Sequence, residues 1–141
     1  MSDTVEQRPV YRNIHITQII TYRLPAPGMV SILHRISGVL MFALLPFIVW
    51  MFDASVSSEV SHAAFASAFT AGIGFVPGWF VKLVALGLIW AFVQHLFAGI
   101  RHVRMDVSHD AEDLQPGRRS AFVVLGATLL LTLALGIKLF F

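Results

Sequence analysis

Three long apolar runs leave this chain few ways to fold. They cover about residues 29–52, 79–103 and 120–141. Each meets the roughly 20-residue length that a helix needs to cross a hydrocarbon core. Lipid offers no hydrogen bonds, so a spanning segment must satisfy its backbone within itself, and an α-helix does that segment by segment. The expected fold is therefore an all-α membrane protein with three transmembrane helices. Composition agrees: 57% of residues are hydrophobic and 13% charged, against about 45–50% and 25% in soluble domains. Beside the runs there is no room for a soluble domain.

The remaining segments divide the chain into a polar arm over 1–28 and a three-helix domain over 29–141. The first ten residues include Asp3, Glu6 and Arg8, which is no signal-peptide pattern. Pro46 lies inside the first run and removes a backbone donor, so a kink is expected there. Residues 53–78 are rich in Ser and Ala; His62 to Ile73 reads as a short interfacial helix, broken by Gly72, Gly74, Pro77 and Gly78. Pro116-Gly117 marks a turn between the second and third runs. Arg8, Arg12, Arg23 and Arg35 precede or open the first run, and Arg101, Arg104, Arg118 and Arg119 flank the second loop, whereas the other side has only Lys82 and Lys138. The positive-inside rule then puts the N-terminus inside and the C-terminus outside.

Several chemistries are excluded. With no cysteine, thiolate catalysis and iron–sulfur ligation cannot occur on this chain. No paired carboxylates, glycine-rich phosphate loop or nucleophile triad is present. The arginines follow the membrane rule rather than a nucleic-acid patch.

The second run carries the most informative residue, His95. An ionisable side chain deep in a membrane span needs a partner inside protein. For a neutral imidazole in a helical bundle the metal that fits best is haem iron. His95, Gly99, His102 and Asp106 are spaced by 4, 3 and 4 and so share one helix face. His102 lies about 10 Å further toward the inner surface, which suits haem propionates near His102 and Arg101. Gly99 leaves space for a flat macrocycle or another helix. A single histidine fills one axial position, no second histidine is expected at its depth, and three helices cannot easily enclose a large cofactor. Partner helices from another chain are therefore expected. The plainer reading of His95 is a hydrogen bond that glues two helices.

The first run opens with Ser31-Ile32-Leu33-His34-Arg35-Ile36-Ser37-Gly38. Ser31, His34 and Arg35 are three or four apart, so a hydroxyl and a fixed cation can converge at the membrane edge and polarise a carbonyl, as quinone reduction requires. Spacing equally allows His34 and Arg35 to be interfacial anchors. Ser37 reads as bonded back to its own helix and Gly38 as a packing contact. Asp106 reads as a cap or a partner of Arg101 or Arg104. His15, His62 and His109 read as solvated, and so does the cluster Asp110, Glu112 and Asp113; Trp50, Trp79 and Tyr22 fit an interfacial aromatic belt.

The motif around Ser31 to Gly38, the stretch His95 to Asp106, the opening Arg8-Pro9 and Arg118-Arg119-Ser120 together resemble the cytochrome b subunit, or C-type membrane anchor, of succinate dehydrogenase (respiratory complex II). The resemblance covers nearly the whole chain. It implies that His95 is an axial ligand of haem b, with the second ligand from a sister anchor subunit. It implies that Ser31 and Arg35 belong to a ubiquinone site, and that His34, Arg35 and His102 lie near the haem propionates. Its partners would be the sister anchor, an iron–sulfur subunit, a flavoprotein subunit and the lipid bilayer, in a bacterial inner membrane. Two other readings stand beside it: a haem-free anchor that recruits soluble redox subunits, and a proton-conducting subunit using His95, His102 and Asp106.

Overall fold

The computed structural model describes residues 15, 17–18, 22–108 and 114–141. Most of the polar arm lies outside these, as do Arg8, Arg12, His109 and the acidic cluster at Asp110, Glu112 and Asp113. The described fold is all-helical: α1 (Ala26–Ala43), α2 (Leu45–Val56), α3 (Glu59–Ala68), α4 (Gly78–Val107) and α5 (Leu114–Phe140). α1, α4 and α5 are long and apolar enough to cross a membrane. The chain is a multi-pass membrane protein.

The first run is interrupted where its proline demands it. Pro25 is extended and Pro27 sits in the first turn of α1, where a missing N–H costs nothing. At the other end Leu44 leaves helical geometry (φ −92°, ψ 4°) and α2 begins, with Pro46 in its first turn. Pro46 has no N–H to offer the carbonyl four residues back. Leu44 still donates to the Leu40 carbonyl at 3.0 Å, and Ile48 to the Leu44 carbonyl at 2.9 Å. The expected kink is thus a single-residue break between two nearly continuous helices.

The interfacial helix runs over Glu59–Ala68 rather than His62 to Ile73. Its start is set by Ser58, whose Oγ accepts from the Ser61 N–H at 3.1 Å while Ser61 Oγ accepts from the Ser58 N–H at 3.0 Å. This reciprocal cap satisfies two orphan donors. Beyond it, the Ile73–Val76 backbone pair closes a tight turn. Gly72 there has φ +96°, and a Cβ on it would run into the Val76 carbonyl.

α4 packs most extensively, against both α1 and α5, and α1 and α5 also touch each other, so the three enclose one small core. The 30 residues of α4 extend about 45 Å, well beyond a hydrocarbon core about 30 Å thick. It therefore continues past the apolar run to Val107 on its polar residues. The helices meet on small side chains: Val30, Ala98 and Ala121 are fully buried, with Val124 nearly so. Small residues let backbones approach where no hydrophobic force separates protein from lipid. Large side chains point outward instead, among them Phe42, Phe92, Leu130 and Ile137.

Candidate functional site

The facing sides of α1 and α4 bring three histidines together. The His34 ring stacks on His95 with centroids 4.0 Å apart and planes 25° from parallel. It also meets His102, 5.1 Å away and tilted by 42°. His34 thereby bridges the two α4 histidines that lie about 10 Å apart along their helix. Glycines make the approach possible. A Cβ on Gly38 would lie 3.1 Å from His95 Cε1, and one on Gly99 would lie 3.7 Å from His34 Nε2. Each helix presents a glycine where the other inserts an imidazole. Gly99 thus admits the neighbouring helix, the second of the two roles open to it.

One ring is held in a defined tautomer. His95 Nδ1 lies 3.1 Å from the His34 carbonyl oxygen, and a carbonyl only accepts, so Nδ1 carries the proton. Ser37 Oγ donates to that same carbonyl at 2.8 Å and lies 3.3 Å from His95 Nδ1. Ser37 is fully buried. It bonds back to its own helix as expected, and in doing so it also completes the cradle around His95. In the neutral ring Nε2 then keeps its lone pair. An imidazole whose outer nitrogen is fixed by a carbonyl is the usual arrangement of a metal-ligating histidine. His34 Nε2 is buried and has no hydrogen-bond partner among the described residues.

These residues fit a haem, with one correction. His34 does lie at the depth of His95, contrary to the expectation that no second histidine would. It is nevertheless no second axial ligand in this geometry. Trans ligands sit on opposite faces of a macrocycle with iron between them, and rings stacked at 4.0 Å leave no room for it. Among the described residues no three His, Asp or Glu side chains converge on a metal position.

The other polar residues are distributed differently from the expectations. Arg35 is exposed, Ser31 half-buried, and among the described residues no hydrogen bond joins them. Arg101 faces away from the histidines. It is 6% exposed, and its Nε donates to Ser120 Oγ at 3.1 Å while a terminal nitrogen donates to the Gly117 carbonyl at 3.4 Å. It latches α4 to the first turns of α5 and is not placed with His102. Asp106 is exposed, and among the described residues it pairs with neither Arg101 nor Arg104. Gln94 and Thr128 are buried in the membrane-spanning helices α4 and α5. Among the described residues Gln94 Nε2 and Thr128 Oγ1 have no hydrogen-bond partner.

The sequence matches the succinate dehydrogenase/fumarate reductase transmembrane subunit family over residues 4–135. The chain belongs to that family. It is 32% identical over 114 residues to the succinate dehydrogenase cytochrome b556 subunit of Paracoccus denitrificans, covering 81% of this chain and 82% of that one. It is also 32% identical over 118 residues to the subunit of the same name from Coxiella burnetii, covering 84% and 85%. This family's membrane subunits are the frame in which the histidine cluster of α1 and α4 is to be understood.

Proposed function

We propose that this chain is the anchor subunit that binds haem b and helps form the ubiquinone-reduction site of succinate dehydrogenase. The carrying observation is His95, held inside a membrane span with Nδ1 donating to the His34 carbonyl at 3.1 Å and Nε2 left as a ligand. The name cytochrome b556 of both relatives supports the haem. His95 is the axial ligand from this chain, and the sister anchor subunit supplies the second. His34, whose Nε2 lacks a partner, and His102 are the donors for the propionates, with Arg35 near them. Haem b, when bound, supplies one-electron redox chemistry.

Quinone reduction takes two electrons and two protons: succinate oxidation in the flavoprotein subunit supplies the electrons, the iron–sulfur subunit relays them, and the protons are taken up from water at the quinone site. Ser31 and Arg35 on α1 serve the quinone. Arg35 is exposed, and its cationic guanidinium can hold negative charge on a carbonyl oxygen as electrons arrive. The complex sits in a bacterial inner membrane with this chain's N-terminus inside and its C-terminus outside. Its polar arm, residues 1–28, lies on the inner side, and the three-helix domain packs with the sister anchor into a bundle.

Replacing Arg35 with Leu tests the quinone half of this reading. Succinate-to-quinone turnover should fall by at least tenfold, while assembly and succinate oxidation with a soluble acceptor stay near wild type. Unchanged quinone turnover contradicts the assignment. A haem-free anchor is favoured by one observation, that His95 already has a partner on α1; it predicts no b-type absorbance in the purified complex.

A further inference from the structure

A groove of about 280 Å³ lies between α4 and α5 near the end where the arginines gather. Phe97, Ile100, Val124 and Ala127 give it an apolar lining, and Arg101 and Arg104 stand at its polar end. These α4 residues are turned by about 120–180° from His95 around the helix, so the groove is separate from the histidine cluster. On α5 its lining reaches from Pro116 to Ala127, about 16 Å along the helix. Of that length Ser120 to Ala127, about 10 Å, lies in the third apolar run, and Pro116 lies at its polar end.

Charge and depth together define the occupant. Arg101 is nine-tenths buried, and its contacts to Ser120 and Gly117 use two of the five donors of a guanidinium. Arg104 is exposed. Among the described residues neither forms an ion pair with a carboxylate. Arg118 and Arg119 follow on the first turns of α5. A slot that is apolar where it enters the span and lined by Arg101 and Arg104 at its mouth matches a molecule with an acyl chain below an anionic head. Basic pockets between membrane helices bind phospholipid head groups in this way. We propose that the α4–α5 groove is a binding site for an anionic phospholipid, with one acyl chain along Phe97, Ile100, Val124 and Ala127 and the phosphate against Arg101 and Arg104.

The test uses the detergent-extracted protein with its co-purifying subunits. It is exchanged into equal amounts of phosphatidylglycerol and phosphatidylcholine, washed, and assayed for retained lipid by native mass spectrometry. Wild type should retain phosphatidylglycerol at least tenfold over phosphatidylcholine. Arg104→Gln should lose that preference, and Ala127→Phe, which fills the groove with both arginines intact, should lose the retained lipid. Arg101 is left alone because it ties the two helices together. Equal retention of both lipids by wild type overturns the proposal, as does retention unchanged in both variants. Displacement of the lipid by millimolar inorganic phosphate would reveal a bare anion site and overturn it equally.

Discussion

The two seams of α4 are built from opposite materials. Toward α1 it offers His95 and His102, and α1 answers with His34, Ser37 and Gly38, so the contact consists of stacked rings and one shared carbonyl. Toward α5 it offers Ala98 and Arg101, and α5 answers with Ala121, Val124 and Ser120, so the contact is small-residue packing under a single latch. The first seam leaves a ring nitrogen without a partner, His34 Nε2. The second closes its cation onto protein acceptors, while Gln94 Nε2 and Thr128 Oγ1, buried in the same two helices, have no partner among the described residues. Unsatisfied polar groups in lipid are costly wherever they lie; what sets the first seam apart is that its open atom belongs to an imidazole, a side chain able to ligate a metal or bond an anion.

That contrast is open to attack by mutation. The largest effect should come from Gly38→Val, because its side chain meets the His95 ring at van der Waals range or closer. Overpacking of this kind costs about 1–3 kcal/mol and should also perturb whatever His95 binds. Gly126→Val is the matching control: nothing lies within 4 Å of its Cβ position, so thermal unfolding in detergent should hardly change. If the two variants unfold alike, the close fit of the α1–α4 seam is wrong.

Next comes Arg101→Met, which removes one hydrogen bond of ordinary length and one long bond of 3.4 Å from a charged donor and should cost about 1.5 kcal/mol in total. Its unfolding midpoint should drop while the absorption spectrum keeps its band positions, since Arg101 faces α5. A spectral shift in Arg101→Met with no loss of stability would move this residue into the histidine site. The smallest effect should be Thr128→Val. The variant removes a buried hydroxyl that has no partner, and the isostere should be neutral or stabilising by up to about 1 kcal/mol. Clear destabilisation would mean that the hydroxyl is bonded after all.

Much of the fold was legible because span length and backbone satisfaction are local requirements. The three spans and the break at Pro46 followed from them. The ends were less so: α4 runs to Val107 rather than about 103, and α5 begins at Leu114 rather than about 120, because backbone hydrogen bonding does not stop where apolar side chains do. α3 began earlier than expected because its capping box uses Ser61 where the usual pattern has Glu or Gln.

At the site, His95 and His102 were legible from helical spacing, whereas the stacking of His34 on His95 was not. Depth across two helices depends on their crossing and register, which spacing along one helix does not carry. The direction of Arg101 is encoded in helical spacing. Gln94, Ala98 and Arg101, spaced by 4 and 3, share a face of their own, centred roughly a quarter-turn from His95.

The central claim is that His95 gives an axial bond to haem b, and a reduced-minus-oxidised visible spectrum of the purified complex tests it most directly. Wild type, His95→Ala, His34→Ala and His102→Ala should be compared at equal protein. Sharp b-type bands should appear in wild type, be lost or strongly shifted in His95→Ala, and persist with smaller shifts in the other two. Bands unchanged in His95→Ala, or absent from wild type, would contradict the account.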